Sequence, residues 1–248
     1  MLISCIIPAR NEAGHLSKVL DDVLSVSQIS EIIIIEGGST DNTYEEAVRI
    51  SLEHPDKIKV IKQIGKGKFN AVQLGVTFVR EELVLIWDAD GTVPLSDIKK
   101  IIKEALESGQ TVMGDRLRGN IEHGAMQFFN FLGNWAFAIA WIPILKQRPV
   151  DMLCGTKIIK TEVFKKIPKW LLKNDPYGDF SLIATAKYFN FSIKSVPVDY
   201  LARSYGTSNI SRWSGGCKLL ITTVLIYMWQ TKKLFNIDQM NKNKNDIR

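Results

Sequence analysis

An α/β domain on a mostly parallel, twisted sheet is predicted by three features of this 248-residue sequence. Short apolar runs alternate with helical periods over residues 1–115, and such alternation implies a parallel sheet with right-handed crossovers. The second run is continuously β-branched, as in a strand covered on both faces. Polar residues gather just after the runs, at the carboxyl ends where open α/β sheets bind ligands.

The elements follow in order. Leu2–Pro8 is an apolar run closed by proline, a buried strand. Leu16, Val19, Leu20, Val23 and Leu24 recur at helical spacing, predicting a helix from Asn11 to about Val26 with Asn11 as N-cap. Glu31–Glu36 is the second strand, broken by Gly37, Gly38 and Ser39, and Asp41 to Glu53 reads as a helix. Ile58–Ile64 is a third strand, Gly65 to Lys68 a loop, and Phe69–Arg80 a helix. Leu83–Trp87 is a fourth strand ending in Asp88-Ala89-Asp90-Gly91. Ser96–Glu107 is a helix and Thr111–Gly114 a fifth strand.

The second half is less regular. Gly124–Leu145 holds 22 residues without a charge, which reaches the ~20 needed to span a bilayer. Gln127, Asn130 and Asn134 share one face, and Phe128, Phe131, Leu132, Trp135 and Ile139 fall largely elsewhere on the wheel. That pattern favours an amphipathic helix in an interface over a spanning one, with a buried core helix as the alternative. Leu219–Trp229, between Lys218 and Lys232-Lys233, suits a helix at a membrane surface. Residues 216–238 read as an amphipathic segment and 239–248 as a flexible tail.

With 46% apolar and 23% charged residues the chain can bury a full core, which excludes disorder over its whole length. Cys5, Cys154 and Cys217 form neither a disulfide framework nor a zinc pattern, which points to a reducing compartment. No basic segment precedes the first strand, so no signal peptide is expected. Residues 1–202 balance acid and base, so the whole +6 lies in residues 203–248. A nucleic-acid coat would be basic over a broad face. A neutral body with a basic end suggests a local anionic target or a membrane surface.

Asp88 and Asp90 stand two residues apart at a strand end, where two carboxylates can share Mg2+ or Mn2+ and bridge it to substrate phosphates. Four motifs in order surround that pair. They are Pro8-Ala9-Arg10-Asn11-Glu12, Glu36-Gly37-Gly38-Ser39-Thr40-Asp41, Gly65-Lys66-Gly67 and Asp88-Ala89-Asp90. Together they resemble the family-2 glycosyltransferases of GT-A fold, over about residues 1–215. Downstream, Gly114-Asp115-Arg116, the stretch from Asp151 to Lys157, Gly178-Asp179-Phe180 and Arg203 to Ser208 resemble the dolichyl- or polyprenyl-phosphate sugar transferase branch.

The resemblance implies a Rossmann-like nucleotide-sugar half, 1–115, and an acceptor half, 116–215. It implies that Pro8, Arg10 and Glu12 line the nucleotide pocket and that Asp41 holds the second-strand loop. Asp88 would face the ribose and diphosphate, with Asp90 the main metal ligand. Arg116 and Arg118 would meet phosphate oxygens, and Arg203 with Ser208 would close on the diphosphate. The donor would be UDP- or GDP-linked and the acceptor a lipid phosphate, reached by peripheral contact with the cytoplasmic face of a membrane. If the acceptor is instead a hydroxyl of a glycan or small molecule, Asp179 is the first candidate base and Asp175 the second. A non-catalytic binding module on the same fold is the remaining alternative. The sequence departs from the family pattern twice. Gly37 replaces an Asp that contacts the base, with Glu36 a partial substitute, and Asn209 replaces a Lys.

Overall fold

The computed structural model describes residues 1–148, 150–175, 177–203 and 212–245, without the side chains of 212–214 and 233–245. Ser208 and Asn209 therefore lie outside the described residues, as do residues 246–248 of the expected tail.

The strands are β1 Ile3–Ala9, β2 Ile29–Glu36, β3 Ile58–Lys62, β4 Leu83–Ile86, β5 Thr111–Asp115, β6 Lys157–Lys160 and β7 Ile193–Pro197. The helices of the first half are α1 Leu16–Leu24, α2 Thr43–Glu53, α3 Lys68–Val76 and α4 Leu95–Ser108. The second half adds α5 Phe128–Ala140, α6 Ile142–Leu145, α7 Thr161–Lys165, α8 Lys169–Asn174, α9 Asp179–Tyr188 and α10 Arg212–Asn245.

All seven strands form one sheet in the order β3-β2-β1-β4-β6-β5-β7. The expected parallel set is present, but β5 is not beside β4. The short β6 enters between them and runs antiparallel to both. The two halves of the chain thus share one sheet. Alternation along β1 divides its side chains between two faces. Ile3, Cys5 and Ile7 join Leu16, Leu20, Ala47 and Ile98 of α1, α2 and α4. Ile6 joins Ala71 of α3 on the other face. There α3 lies so close that a Cβ on Gly75 would stand 2.8 Å from Ile6 Cγ2. Gly75→Ala is therefore expected to cost about 1–3 kcal/mol through overpacking, read as a lower denaturant midpoint at unchanged slope.

Three expectations are corrected. Asn11 is not an N-cap, because the helix starts five residues later, at Leu16. Asn11 has φ +56, and its Oδ1 accepts from the Thr40 amide at 2.8 Å. Gly124–Leu145 is not one helix but holds two, α5 and α6, and of Gln127, Asn130 and Asn134 only Asn134 is buried. That side chain is buried because its Nδ2 donates to Asp151 at 2.7 Å, whereas Phe128, Phe129, Leu132 and Ile139 are exposed. Finally, α10 remains helical to Asn245, through most of the expected tail.

Helix α10 packs through a partly polar seam. Thr223 Oγ1 accepts from Trp141 Nε1 at 3.3 Å, the Tyr227 hydroxyl donates to the Ala140 carbonyl, and Trp229 stacks on Tyr188 at 3.9 Å. Leu220, Ile221, Val224 and Met228 are left on its exposed side. Among the described residues no helix is long and apolar enough to cross a membrane.

Candidate active site

Parallel strands deliver their carboxyl ends to one edge of the sheet, and the chemistry-bearing residues of β1, β2 and β4 meet there. Backbone amides of the segment after β1 donate to side chains after β2. Asn11 N reaches Ser39 Oγ at 3.0 Å, Glu12 N reaches Thr43 Oγ1 at 2.8 Å and Ala13 N reaches Asp41 Oδ2 at 3.2 Å. Asp41 also accepts from the Thr43 amide at 3.1 Å. Its slight burial would raise its carboxyl, but hydrogen bonds from Thr43 and Ala13 outweigh this and hold it below the usual range. Asp41 thus holds the second-strand loop and also ties it to the first.

That clasp presents Glu12. Its Oε2 is buried with no hydrogen-bond partner. Burial first, then the charge of Asp90, push its carboxyl up to about 7, against the opposing pull of Arg203. Pro8 is half-buried in β1, and Arg10 is exposed just beyond it. The buried Glu36 accepts the Ser39 amide at 2.5 Å and so faces its own loop.

At the end of β4, Asp90 accepts from Arg203 Nη2 at 2.5 Å and from Thr92 Oγ1 at 2.9 Å. Asp88 is paired with Lys68 at the start of α3. Burial would raise the Asp88 carboxyl, but Lys68, Lys157 and Arg116 together hold it below its ordinary value. Burial would likewise lower the Lys68 ammonium, yet Asp88 and Asp179 raise it. Gly155 lies against this pair, leaving no room for a Cβ.

The arginines expected to meet phosphates are already engaged. Arg116 forks onto the buried Asp151, Nε to Oδ2 at 2.5 Å and Nη2 to Oδ1 at 3.1 Å, and its guanidinium lies 4.8 Å over the Tyr200 ring. Arg118 bonds Asp115 at 2.6 Å and Ser195 Oγ at 2.5 Å, on the β5 and β7 side of the sheet. Arg116 is within electrostatic reach of Asp88; Arg118 is directed away into structure. Asp179 opens α9 and pairs with Lys157, whose side chain is fully buried in β6. Asp175 holds the turn before α9, accepting the amides of Tyr177, Gly178 and Ser181 at 3.1, 2.9 and 2.8 Å.

Lys68 and Lys157 went unrecognised in the sequence. Lys68 closes the loop from Gly65 to Lys68, where nothing in the sequence marks its side chain. Lys157 interrupts an apolar run, which is the one signal that could have marked it.

Among the described residues no three His, Cys, Asp or Glu side chains converge as a metal site. The chain can therefore offer a divalent cation the Asp88 and Asp90 carboxylates. Mg2+ and Mn2+ fit such a set, because they are commonly held by one or two carboxylates with substrate phosphates and water completing the shell. Glu12, whose Oε2 has no hydrogen-bond partner, lies within electrostatic reach of both carboxylates.

The sequence profile described as Glycosyl transferase family 2 matches residues 4–165. A dolichyl-phosphate beta-glucosyltransferase of Trichomonas vaginalis is 35% identical over 220 residues, covering 80% of this chain and 65% of that protein. The chain thus spans slightly less than two thirds of that relative's length. The dolichyl-phosphate beta-glucosyltransferase of Homo sapiens is 24% identical over 231 residues, covering 86% and 71%. Glucosyl-3-phosphoglycerate synthase of Mycobacterium tuberculosis, crystallised with Mn2+, UDP-glucose and phosphoglyceric acid, superposes with a TM-score of 0.68 at 18% identity. The superposition covers 91% of this chain and 79% of that one, and shows that the two share the GT-A fold.

Proposed function

Because this chain belongs to glycosyl transferase family 2, we propose that it is a metal-dependent, inverting transferase that moves a sugar from a UDP- or GDP-linked donor to a polyprenyl-phosphate lipid. The observation that carries the reading is the strand-end pair Asp88 and Asp90, each matched to a cation, Lys68 and Arg203, from a different part of the chain. Dolichyl phosphate is the acceptor in the names of the relatives, and glucose is the first sugar to test.

Breaking the bond between the anomeric carbon and the diphosphate develops positive charge on the sugar and negative charge on the leaving group. Asp88 and Asp90 would hold a divalent cation, which when bound would supply Lewis-acid stabilisation of that leaving diphosphate. Lys68 adds fixed positive charge beside it, and Arg203 can exchange Asp90 for a diphosphate oxygen. The acceptor phosphate is already an anion, so it attacks from the opposite face without a base and inverts the centre.

A hydroxyl acceptor would require Asp179 to take a proton, and Asp179 is bound to the buried Lys157. The two routes separate on one variant. With Lys157→Met added to keep the pair neutral, Asp179→Asn is expected to retain transfer to polyprenyl phosphate within about tenfold. Loss of about 10²–10⁴ would assign it the base role.

Membrane contact is proposed for the exposed apolar side chains of α5 and α10, with Lys218 and Lys232 at the margins of the latter. This keeps the protein peripheral, on the cytoplasmic face where nucleotide-sugars are available. Burying exposed apolar side chains in lipid is favourable by about 1.5–3 kcal/mol each. Phe129→Ser with Ile221→Ser is therefore expected to weaken binding to anionic vesicles by at least about tenfold, while leaving the melting temperature nearly unchanged.

A further inference from the structure

We propose that Glu122 is a positioning residue for Arg203. Its carboxylate ties down the chain immediately before Arg203, and so governs how that guanidinium is shared between Asp90 and a substrate diphosphate. The inference rests on the transferase reading for the identity of that diphosphate.

The chain approaches Arg203 as an extended strap. Every backbone amide from Val198 to Ala202 donates, and successive ones reach to opposite sides. Asp199 N reaches Asp97 Oδ2 at 2.7 Å, and Leu201 N reaches the Thr92 carbonyl at 2.8 Å. Both of those partners lie between β4 and β5. Val198 N reaches the Asp115 carbonyl at 3.2 Å, Tyr200 N the Asn120 carbonyl at 2.8 Å and Ala202 N the Glu122 Oε2 at 2.7 Å. Those three partners lie at or after the end of β5. The strap is thus held like a strand between two neighbours.

The segment carrying Glu122 is fitted to the strap. Glu122 N donates back to the Tyr200 carbonyl at 2.9 Å, and Asn120 N donates to Asp199 Oδ1 at 2.9 Å. Gly119 lies against the Val198 carbonyl with no room for a Cβ. At Asp199 and Ala202 the amide is taken by a carboxylate, where the other three meet backbone carbonyls. Asp97 is buried and opens α4, so its loss would also disturb that helix. Glu122 is exposed and lies outside the core. Its bond therefore adds little to packing; what it fixes is the course of the chain into residue 203.

The strap ends in the site. Arg203 Nη2 donates to Asp90 Oδ2, bridging 113 residues of sequence. Thr92, which accepts the strap on its carbonyl, donates through Oγ1 to the same Asp90 carboxylate. The Tyr200 ring of the strap lies under the Arg116 guanidinium. Strap, Asp90 and Arg116 are thereby fixed relative to one another, and the tether nearest Arg203 is that of Glu122.

A guanidinium and a divalent cation compete for the Asp90 carboxylate. Tethering the chain next to Arg203 keeps its guanidinium at a high effective concentration there. A looser tether weakens the hold of Arg203 on Asp90 and so favours the cation. With a cation on Asp90, the same guanidinium is free to meet a diphosphate, and a looser tether weakens that contact. One bond thus has two effects of opposite sign. A side chain that only stabilised the fold would move both in the same direction.

The test is titration of the full chain with Mn2+ by electron paramagnetic resonance, then calorimetric titration of UDP and GDP into the Mn2+-saturated protein. Glu122→Ala is expected to bind Mn2+ about three- to tenfold tighter and the preferred nucleotide about three- to tenfold weaker, one hydrogen bond's worth each way. Its melting temperature is expected to stay nearly unchanged. Glu122→Gln keeps an acceptor oxygen and is expected to stay within about twofold of wild type in both titrations. In an Arg203→Ala background, Glu122→Ala is expected to change neither affinity, because it acts through the guanidinium. Parallel loss of both affinities, no change in either, or effects that persist without Arg203 overturn the assignment. If Mn2+ binds but neither nucleotide does, the transferase reading fails, while the Mn2+ titrations still decide the tether. An absence of Mn2+ binding overturns both.

Discussion

Asp90→Ala is expected to reduce sugar transfer by about 10²–10³-fold and to abolish Mn2+-dependent nucleotide binding, with little loss of stability. The side chain accepts from Arg203 and from Thr92, two residues on, and Arg203 is itself 29% exposed, so water can solvate the cation that is left. Its removal takes away one of two carboxylates available to a cation, at the place where the leaving diphosphate gathers charge. Loss of a single preorganised electrostatic partner of a transition state commonly costs that much. The same substitution frees Arg203, so metal-free binding of the diphosphate should persist or improve. Steady-state transfer, nucleotide titrations with and without Mn2+, and thermal melts together check the three parts. Unimpaired transfer would place the metal elsewhere, or make the chain a binding module.

Asp151→Ala is expected to have the largest effect on folding, a loss of about 3–5 kcal/mol. Asp151 is fully buried and gathers the Arg116 fork, the Asn134 amide and the Leu153 amide at 2.9 Å. Without it Arg116, whose side chain is only 12% exposed, becomes an uncompensated buried charge. The double variant Asp151→Ala with Arg116→Met is expected to recover much of the loss, since removing both partners leaves no orphan. The pH dependence has a definite sign. Burial would raise the Asp151 carboxyl, but Arg116 and the hydrogen bonds hold it below its ordinary value. Its contribution is therefore full above about pH 4, the unfolded value, and is lost as pH falls through the lower folded one. The acid limb of a stability profile should flatten in the variant.

Much of this architecture was legible because its causes are local. A run such as Ile32 to Ile35 can only be a strand buried on both faces, and Asp88 and Asp90 follow another such run directly. What escaped depends on tertiary pairing. Lys68 meets Asp88 from 20 residues away and Lys157 meets Asp179 from 22, so neither pair has a spacing signature. The helical wheel of α5 put Asn134 on a polar face without showing what that face meets. The buried Asp151, 17 residues on, turns it inward and leaves the phenylalanines outside. The insertion of β6 was hidden because four residues with lysine at both ends carry too little pattern to announce a central strand.

The central claim is that the Asp88 and Asp90 crevice transfers sugar from a nucleotide to a lipid phosphate. It is tested most directly by incubating the protein with sugar-labelled UDP-glucose or a GDP-sugar, polyprenyl phosphate in detergent, and Mn2+ or EDTA. Label is expected to pass into the organic phase as a mild-acid-labile glycolipid, only with metal present and only when the lipid carries its phosphate. Metal-independent transfer, or transfer to polyprenol as readily as to polyprenyl phosphate, would contradict the account.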